Sequence, residues 1–186
     1  MPVTSPDVAR RRLTQPELDA ICARHDRLWQ ARPGGARAVF AWMDLSGLSM
    51  VGRNLADADF SAACMIGCDL SGARLDNATF FGSDMQDVLL VEASLRRADL
   101  RGACLRGADL SGADMFEADL REGTIAAADS RLGFRVVESK SRTDTQAQGA
   151  CLAGANLQRS KLTGIIAVAA DFTDAIMKDC KLVRAN

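Results

Sequence analysis

The sequence predicts an all-β solenoid with four sides, five residues to a side, and an N-terminal capping α-helix. A large apolar residue stands at every fifth position over 18 consecutive positions, from Phe40 to Ile125. A small residue, most often Ala, stands two positions before most of them. Identical residues also recur 20 positions apart, as in Phe40, Phe60 and Phe80.

A five-residue period fits neither a helix nor a straight strand. Five residues turn an α-helix by about 500°, so successive apolar residues never form a stripe. In a strand, an odd period would place them on alternating faces. The pattern is satisfied if the chain turns a corner once per repeat, and the 20-residue recurrence then gives four sides per coil. We therefore expect a ladder of stacked Phe rings inside one side.

Three units in the middle of the chain carry a family resemblance. Residues 98–102, 108–112 and 118–120 read Ala-Asp-Leu-Arg-Gly, Ala-Asp-Leu-Ser-Gly and Ala-Asp-Leu. They resemble the Ala-Asp/Asn-Leu unit of pentapeptide-repeat proteins, and the resemblance extends over about residues 38–130 and 150–186. It implies a right-handed quadrilateral β-helix, a handedness that periodicity does not show. One branch of this family resembles DNA and protects DNA gyrase from quinolones, whereas most members have no assigned activity.

The N-terminal region is expected to cover the open first coil. Residues 1–13 are predicted to be a disordered tail, and residues 14–37 to hold the capping helix, over about 15–31. Thr14 is a suitable N-cap, and Glu17 three residues later completes a capping box. Without such a helix, the inner residues and the strand edges of the first coil would meet water.

The repeats are interrupted once. The first block is predicted over residues 38–130, and the pattern resumes at Leu152 with its phase slipped by two. Residues 131–149 are predicted to form an interrupting loop, partly packed near its start, and residues 150–186 a second block. The sequence ends within a repeat unit. We favour a piece of a longer repeat protein, and the alternative is a homodimer through the C-terminal coil.

Composition and charge narrow the classes of function. No apolar run is long enough to span a membrane, and no signal-peptide core is present, so we expect a cytoplasmic protein. The net charge of −1 hides a strong asymmetry: residues 1–37 carry +3, residues 38–130 carry −8, and residues 131–186 carry +4. Charge asymmetry of this kind concerns partners and solubility rather than fold.

No arrangement of residues for catalysis is present, so we predict that the protein is not an enzyme and uses no cofactor. His25, the only histidine, lies on the apolar face of the predicted helix and is expected to be structural. The outward Asp residues follow the repeat, and we expect them to bond the corners or stay solvated. Cys64 and Cys104 should lie two coils apart, roughly 9–10 Å at about 4.8 Å per coil, too far for a disulfide. No metal site is predicted.

Apolar residues at outward or corner positions are the best candidates for binding a partner. Together with two residues of the interrupting loop, the candidates are Ile66, Phe81, Leu89, Val91, Phe116, Phe134 and Arg142. The predicted function is a non-catalytic protein-interaction scaffold with a protein partner of unknown identity. The alternative is a DNA mimic that binds DNA gyrase, a type II topoisomerase, and protects it from quinolones. Neither hypothesis expects direct binding of nucleic acid.

Overall fold

The chain winds into a solenoid whose successive coils are joined by parallel backbone hydrogen bonds. The computed structural model describes residues 10–123, 126–129, 133–136 and 145–186. Before and after one interruption, each bridge joins a residue to one 20 positions later, as Val39 joins Asp59 and Asp59 joins Thr79. The Phe40 amide donates to the Asp59 carbonyl at 2.7 Å, and the Asp59 amide donates to the Ala38 carbonyl at 3.0 Å. The 20-residue coil predicted from the Phe spacing is therefore confirmed.

Among the described residues, the bridges fall into four ladders that run along the solenoid. We number the ladders by their order in the first coil, and we identify each ladder by the outward residues that form its bridges. The first ladder holds Val39, Asp59, Thr79, Asp99, Asp119, Lys161 and Lys181; the second holds Asp44, Cys64, Asp84, Cys104, Gln146 and Ile166; the third holds Ser49, Asp69, Leu89, Asp109, Cys151 and Asp171; the fourth holds Asn54, Arg74, Ser94, Asp114, Asn156 and Ile176.

The residue that follows each ladder position points into the core. Phe40, Phe60 and Phe80, which follow the first ladder, are fully buried. Their ring centroids lie 5.0 and 4.9 Å apart, with interplanar angles of 19° and 5°. The predicted Phe ladder is confirmed, and it shows that side chains stack in register with the backbone rungs.

A tight turn follows each inward residue, and its second residue adopts positive φ. Gly107 has φ 65°, a conformation that costs glycine nothing because it has no Cβ. Trp42 has φ 63° at the equivalent position of the first coil, although bulky residues rarely adopt this conformation. The turn geometry therefore prevails over the preference of the individual residue.

The predicted disordered tail is wrong at its C-terminal end. Residues 1–9 lie outside the described residues, but strand β1 (Arg11–Arg12) pairs in parallel with strand β2 (Met43–Asp44). The Leu13 amide donates to the Asp44 carbonyl at 2.9 Å, and the Leu13 side chain is buried. The physical reason is that the first coil has an open strand edge, which this short segment satisfies.

Helix α1 spans Gln15–Trp29, two residues shorter than predicted, and lies against the first coil. Its capping box is present: the Glu17 carboxylate accepts from the Thr14 amide at 2.8 Å. Arg53 reaches from the coil to Asp19 at 2.8 Å. The Ala38 amide donates to Nδ1 of His25 at 3.0 Å, and His25 is fully buried. The structural role expected for His25 is therefore confirmed.

The boundaries of the interruption differ from the prediction. Cys104 pairs with Gln146, 42 positions later, so 22 residues are inserted into one 20-residue coil. The insertion exceeds a coil by two residues, which explains the phase slip. Ala147 is buried in the slot that the repeat predicts for Ile125, and Ile125 itself lies outside the described residues. The second block thus resumes before residue 150, and the first block ends before residue 130.

A hairpin forms part of the insertion. Strand β3 (Ala126–Asp129) pairs antiparallel with strand β4 (Gly133–Val136), and Ala126 lies opposite Val136. Where the chain re-enters the coil, buried Thr145 replaces a small inward residue. Its hydroxyl accepts from the Gly102 amide at 3.0 Å and lies 2.9 Å from the Arg121 carbonyl. This threonine therefore joins the two blocks.

The last coil is the least covered part of the core. Phe172 and Met177 are only partly buried, and Leu182 is 49% exposed. The homodimer expected through this coil stays a prediction. Within the described residues, no helix has both the length and the apolar character needed to cross a membrane.

The stacked Phe ladder predicts a large effect of truncation. Phe60→Ala should lower the free energy of unfolding by about 3–5 kcal/mol, because it removes a buried ring between two others. Urea unfolding would measure the loss. Phe81→Ala, which removes a half-buried ring outside the ladder, is the control and should cost much less. A loss below about 1 kcal/mol for Phe60→Ala would contradict the ladder.

Burial of His25 predicts a dependence of stability on pH. Burial lowers the pKa of His25 below its ordinary value, because a charged ring would have no water around it at this position, and a protonated Nδ1 could no longer accept the bond from Ala38. The unfolded chain then binds the proton more readily, so stability is complete above about pH 6.5 and falls as pH drops below it. The loss should not exceed about 1.4 kcal/mol per pH unit.

Urea unfolding between pH 7.5 and 5 would test this dependence. His25→Gln should flatten it, since His25 is the only histidine and carboxyl groups titrate at lower pH. An unchanged pH profile in the variant would show that His25 is not the cause.

Candidate functional site

The five predicted partner-binding residues whose side chains the structure describes do not form one surface. Leu89 lies in the third ladder and is 41% exposed, with half-buried Val91 in the turn that follows. Ile66, 39% exposed, lies in the turn between the second and third ladders. Phe81 and Phe116 follow the first and fourth ladders. Of these five residues, Leu89, Val91 and Ile66 therefore share one region of the surface.

The two other predicted positions cannot be placed as side chains. Arg142 lies outside the described residues. Phe134 belongs to β4, where the backbone alone is described.

Phe81 and Phe116 are engaged within the molecule. The Arg101 guanidinium lies 5.3 Å from the centroid of the Phe81 ring. Phe116 has Arg96 at 4.6 Å and Arg159 at 5.7 Å from its ring centroid. Such cation–π contacts favour a structural role, and the contact with Arg159 also links the two blocks.

Outward Asp side chains bond the turns, as the sequence predicts. The Asp69 carboxylate accepts from the Ser71 amide at 3.0 Å, and the Asp109 carboxylate accepts from the Ser111 amide at 3.0 Å. Asp44 makes the same bond to the Ser46 amide at 2.9 Å. Each bond uses one oxygen and leaves most of the negative charge at the surface. A repeating structural bond therefore also sets the position of a charge.

Six acidic residues with no ion pair among the described residues lie on two neighbouring ladders and the turn between them. We call this surface the acidic face and define it by the second and third ladders and the turn between them. Its charged residues are Asp44, Asp69, Asp84, Asp87, Asp109 and Asp171, with Arg106 as one base. Arg106 donates to Gln86 at 2.9 Å rather than to a carboxylate. Leu89 stands between Asp69 and Asp109 on the third ladder, so the face combines charge with an exposed apolar side chain.

The N-terminal strand partly offsets the negative charge at one end of the acidic face. Partial burial acts to raise the pKa of Asp44, but hydrogen bonds from Ser46 and the nearby Arg12 and Arg10 outweigh it and lower the pKa. Asp44 therefore stays ionised at neutral pH, and its charge is partly offset by β1.

Several acids of the first and fourth ladders are, in contrast, paired with arginines. Arg101 binds Asp99 at 2.7 Å, and Arg121 binds Asp119 at 2.7 Å. Arg96 binds Asp114 at 2.6 Å. Each such pair is partly exposed and contributes little to stability. Its main consequence is that these sides carry both signs of charge, whereas the acidic face carries nearly one.

Three of the six cysteines, Cys64, Cys104 and Cys151, lie on this surface. All six cysteines are free thiols, and burial raises the pKa of Cys68 to about 12. No group of three or more His, Cys, Asp or Glu in the described part of the chain is arranged to hold a metal ion.

The net charge of −8 predicts an acidic surface for residues 38–130, but the predicted site residues include none of the acids of the acidic face, although a signal for their position is present. Asp69, Leu89 and Asp109 are 20 positions apart, so the coil length already assigns them to one ladder. Sorting charged residues by their position in the coil would have separated the unpaired acids from those beside an arginine.

The family model for pentapeptide repeats matches this chain in eight copies. The matched segments are residues 36–72, 54–90, 73–112, 93–125 and 150–186. These repeats imply the right-handed β-helix solenoid that the resemblance led us to expect. Among curated proteins, no sequence matches the chain.

Several solved structures are similar to the chain. HetL, a pentapeptide repeat protein involved in heterocyst differentiation regulation from the cyanobacterium Nostoc sp. strain PCC 7120, is 21% identical; the match covers 86% of this chain and 93% of HetL, with a TM-score of 0.38. Alr5209, a pentapeptide repeat protein from Nostoc PCC 7120, is 26% identical over 59% of this chain and 80% of its own, with a TM-score of 0.48. QnrB1, a plasmid-mediated fluoroquinolone resistance protein, is 18% identical over 80% and 74%, with a TM-score of 0.35.

Proposed function

Because this chain belongs to the pentapeptide-repeat family, we propose that it is a non-catalytic protein-interaction scaffold. In this proposal the solenoid is a rigid quadrilateral column, and α1 caps its first coil. Stacked rungs and a continuous core support rigidity, since every inner side chain is held by those above and below it. A rigid column can present outward residues at fixed spacing without ordering them on binding, which lowers the entropic cost of association.

The acidic face is the docking surface in this proposal. Asp69, Asp84 and Asp109 have no ion pair among the described residues, so a partner's cations need not displace internal arginines. Leu89 and Ile66 offer apolar contact within the same region. The partner that fits is a protein with a basic surface and an apolar depression. Charge complementarity would speed the encounter and select the partner, and the apolar contact would add to affinity.

Affinity capture with matched variants tests the docking surface. Asp69→Asn with Asp109→Asn removes two charges from the acidic face but keeps an oxygen to accept each turn bond. Asp99→Asn with Asp119→Asn removes two charges from the first ladder and is the control. We expect a basic protein to be retained by the wild type and the control, and lost with the acidic-face variant.

Mass spectrometry would identify the captured protein, and a purified sample would give its dissociation constant. The lost charges should weaken binding at least tenfold, less so at high salt because screening already weakens exposed charges. Equal retention by both variants, or no specific protein with the wild type, would contradict the proposal.

A second candidate function is DNA mimicry toward a type II topoisomerase. The observation that favours it is the unpaired acidic face, which is what a protein that normally binds DNA would recognise. The low charge density of the acidic face is the reason that DNA mimicry is the second candidate. The face has roughly one carboxylate per coil of about 4.8 Å, whereas DNA has a charge per about 1.7 Å. The face is thus about a third as dense in charge as a duplex.

A supercoiling assay with DNA gyrase and a fluoroquinolone decides between the two functions. Under mimicry, the protein at several-fold excess over the enzyme should restore supercoiling in the presence of the drug. The Asp69→Asn, Asp109→Asn variant should protect less than the first-ladder control. Absence of protection by the wild type would exclude this function and leave the scaffold proposal intact.

A further inference from the structure

An open groove of about 600 Å³ runs along the first ladder. Its walls come from both blocks: Asp99 and Asp119 precede the insertion, and Lys161 and Lys181 follow it. The volume lies within the range of small-molecule sites, roughly 300–1,000 Å³. The groove belongs to the ladder of mixed charge and not to the acidic face.

The groove acids Asp99 and Asp119, which precede the insertion, are already bound by arginines. Arg101 donates to both oxygens of Asp99, at 2.8 and 2.7 Å. Arg121 does the same for Asp119, also at 2.8 and 2.7 Å. Partial burial acts to raise the pKa of Asp119, but the bonds from Arg121 outweigh it and lower the pKa. These two carboxylates therefore have little capacity left for a further cation.

The groove cations that follow the insertion make long ion pairs or none among the described residues. Lys161 lies 3.7 Å from Asp119, beyond hydrogen-bond distance, and Asp119 is already bound by Arg121. Arg159 lies 3.5 Å from Glu117, and its guanidinium also lies 5.7 Å from the centroid of the Phe116 ring. Lys181 makes no ion pair among the described residues. The groove thus contains positive charge that its own acids do not neutralise closely.

Lys161 and Lys181 are bridge partners on consecutive rungs of the first ladder. Adjacent strands are about 4.8 Å apart, and like charges at this spacing on one face destabilise a sheet. An anion placed between the two ammonium groups would remove this repulsion. Nothing in the packing requires lysine at either position, since both side chains point out from the core.

We infer that this groove binds a small molecule with a diphosphate group. Two linked phosphoryl groups can meet two consecutive rungs, one at Lys161 and Arg159 and the other at Lys181. Arginine suits phosphate because its guanidinium donates two parallel bonds, and lysine adds a compact charge. Glu117 and Asp179 on the walls can accept from hydroxyl groups of an attached sugar. A single phosphate or carboxylate would reach one rung and bind more weakly.

Binding would also stabilise the junction between the two blocks. The residues that meet the ligand lie after the insertion, whereas the wall beside them comes from before it. A ligand that binds only the folded groove raises the stability of the folded state in proportion to the logarithm of its concentration. The stabilisation is therefore a readout independent of any activity.

Calorimetric titration of the full chain with inorganic pyrophosphate tests the inference. At constant ionic strength of about 0.15 M, chosen to screen exposed charges, we expect saturable binding of one pyrophosphate per chain and a rise in melting temperature. Inorganic phosphate should bind at least tenfold more weakly. ADP in a parallel titration distinguishes the sources of the group. Tighter binding than pyrophosphate indicates a nucleoside diphosphate, and equal binding indicates that the diphosphate alone is recognised.

Matched variants separate a site from general attraction of anions. Lys161→Gln with Lys181→Gln should weaken pyrophosphate binding at least tenfold, while stability without ligand stays the same or rises because the repulsion is removed. Lys178→Gln changes an exposed lysine outside the groove lining and should bind like the wild type. Lys181→Gln alone keeps the test valid if the double variant folds poorly. Absence of saturable binding, or equal weakening by Lys178→Gln, would overturn the inference.

Discussion

The structure depends on one constraint: each coil must satisfy its backbone hydrogen bonds on the coils before and after it. The ladder residues pair with residues of the neighbouring coils, 20 positions away within a block and 42 positions away across the insertion, while other amides close the turns within the coil. The side chains obey the same register. Phe60 stacks between Phe40 and Phe80 because the rungs above and below are aligned. Backbone pairing and core packing are thus two consequences of one repeat length.

The same constraint explains the N-terminal region and the insertion. β1 adds a partial rung to the open edge at Asp44, and α1 lies against the first coil through Arg53 and His25. At the insertion, the chain leaves the column and returns with Gln146 on the rung beside Cys104. Thr145 supplies a hydroxyl at this junction. The excursion of 22 additional residues is compatible with the fold because the returning residues meet the free rung.

Side chains at outward positions do not have to fit the core or the rungs. The charge of these side chains therefore differs from one side of the column to another. Asp99 and Asp119 are held by arginines two positions later, whereas Asp69 and Asp109 have serine there and remain without an ion pair among the described residues. The identity of one turn residue therefore decides whether a ladder carries mixed charge or a single sign. The proposed docking surface and the proposed anion groove are two results of this choice, on different ladders of one column.

The sequence by itself determined the coil length, the inward residues and the start of the helix. The spacing of Phe40, Phe60 and Phe80 predicts the stacked ladder, and Thr14 with Glu17 predicts where α1 begins, because buried packing and capping impose local patterns. Only the tertiary structure decided how the chain rejoins the column. By hydrophobicity, Ile125 is the better residue for the slot that Ala147 occupies. A free backbone rung, however, pairs with whichever residue arrives in register. Because the side chain of Ala147 is so small, the sequence contains no apolar pattern that predicts its position in the core. That register also places Lys161 next to Asp119 and so determines the charges of the groove. The sequence does not predict this arrangement, because outward residues contribute little to burial.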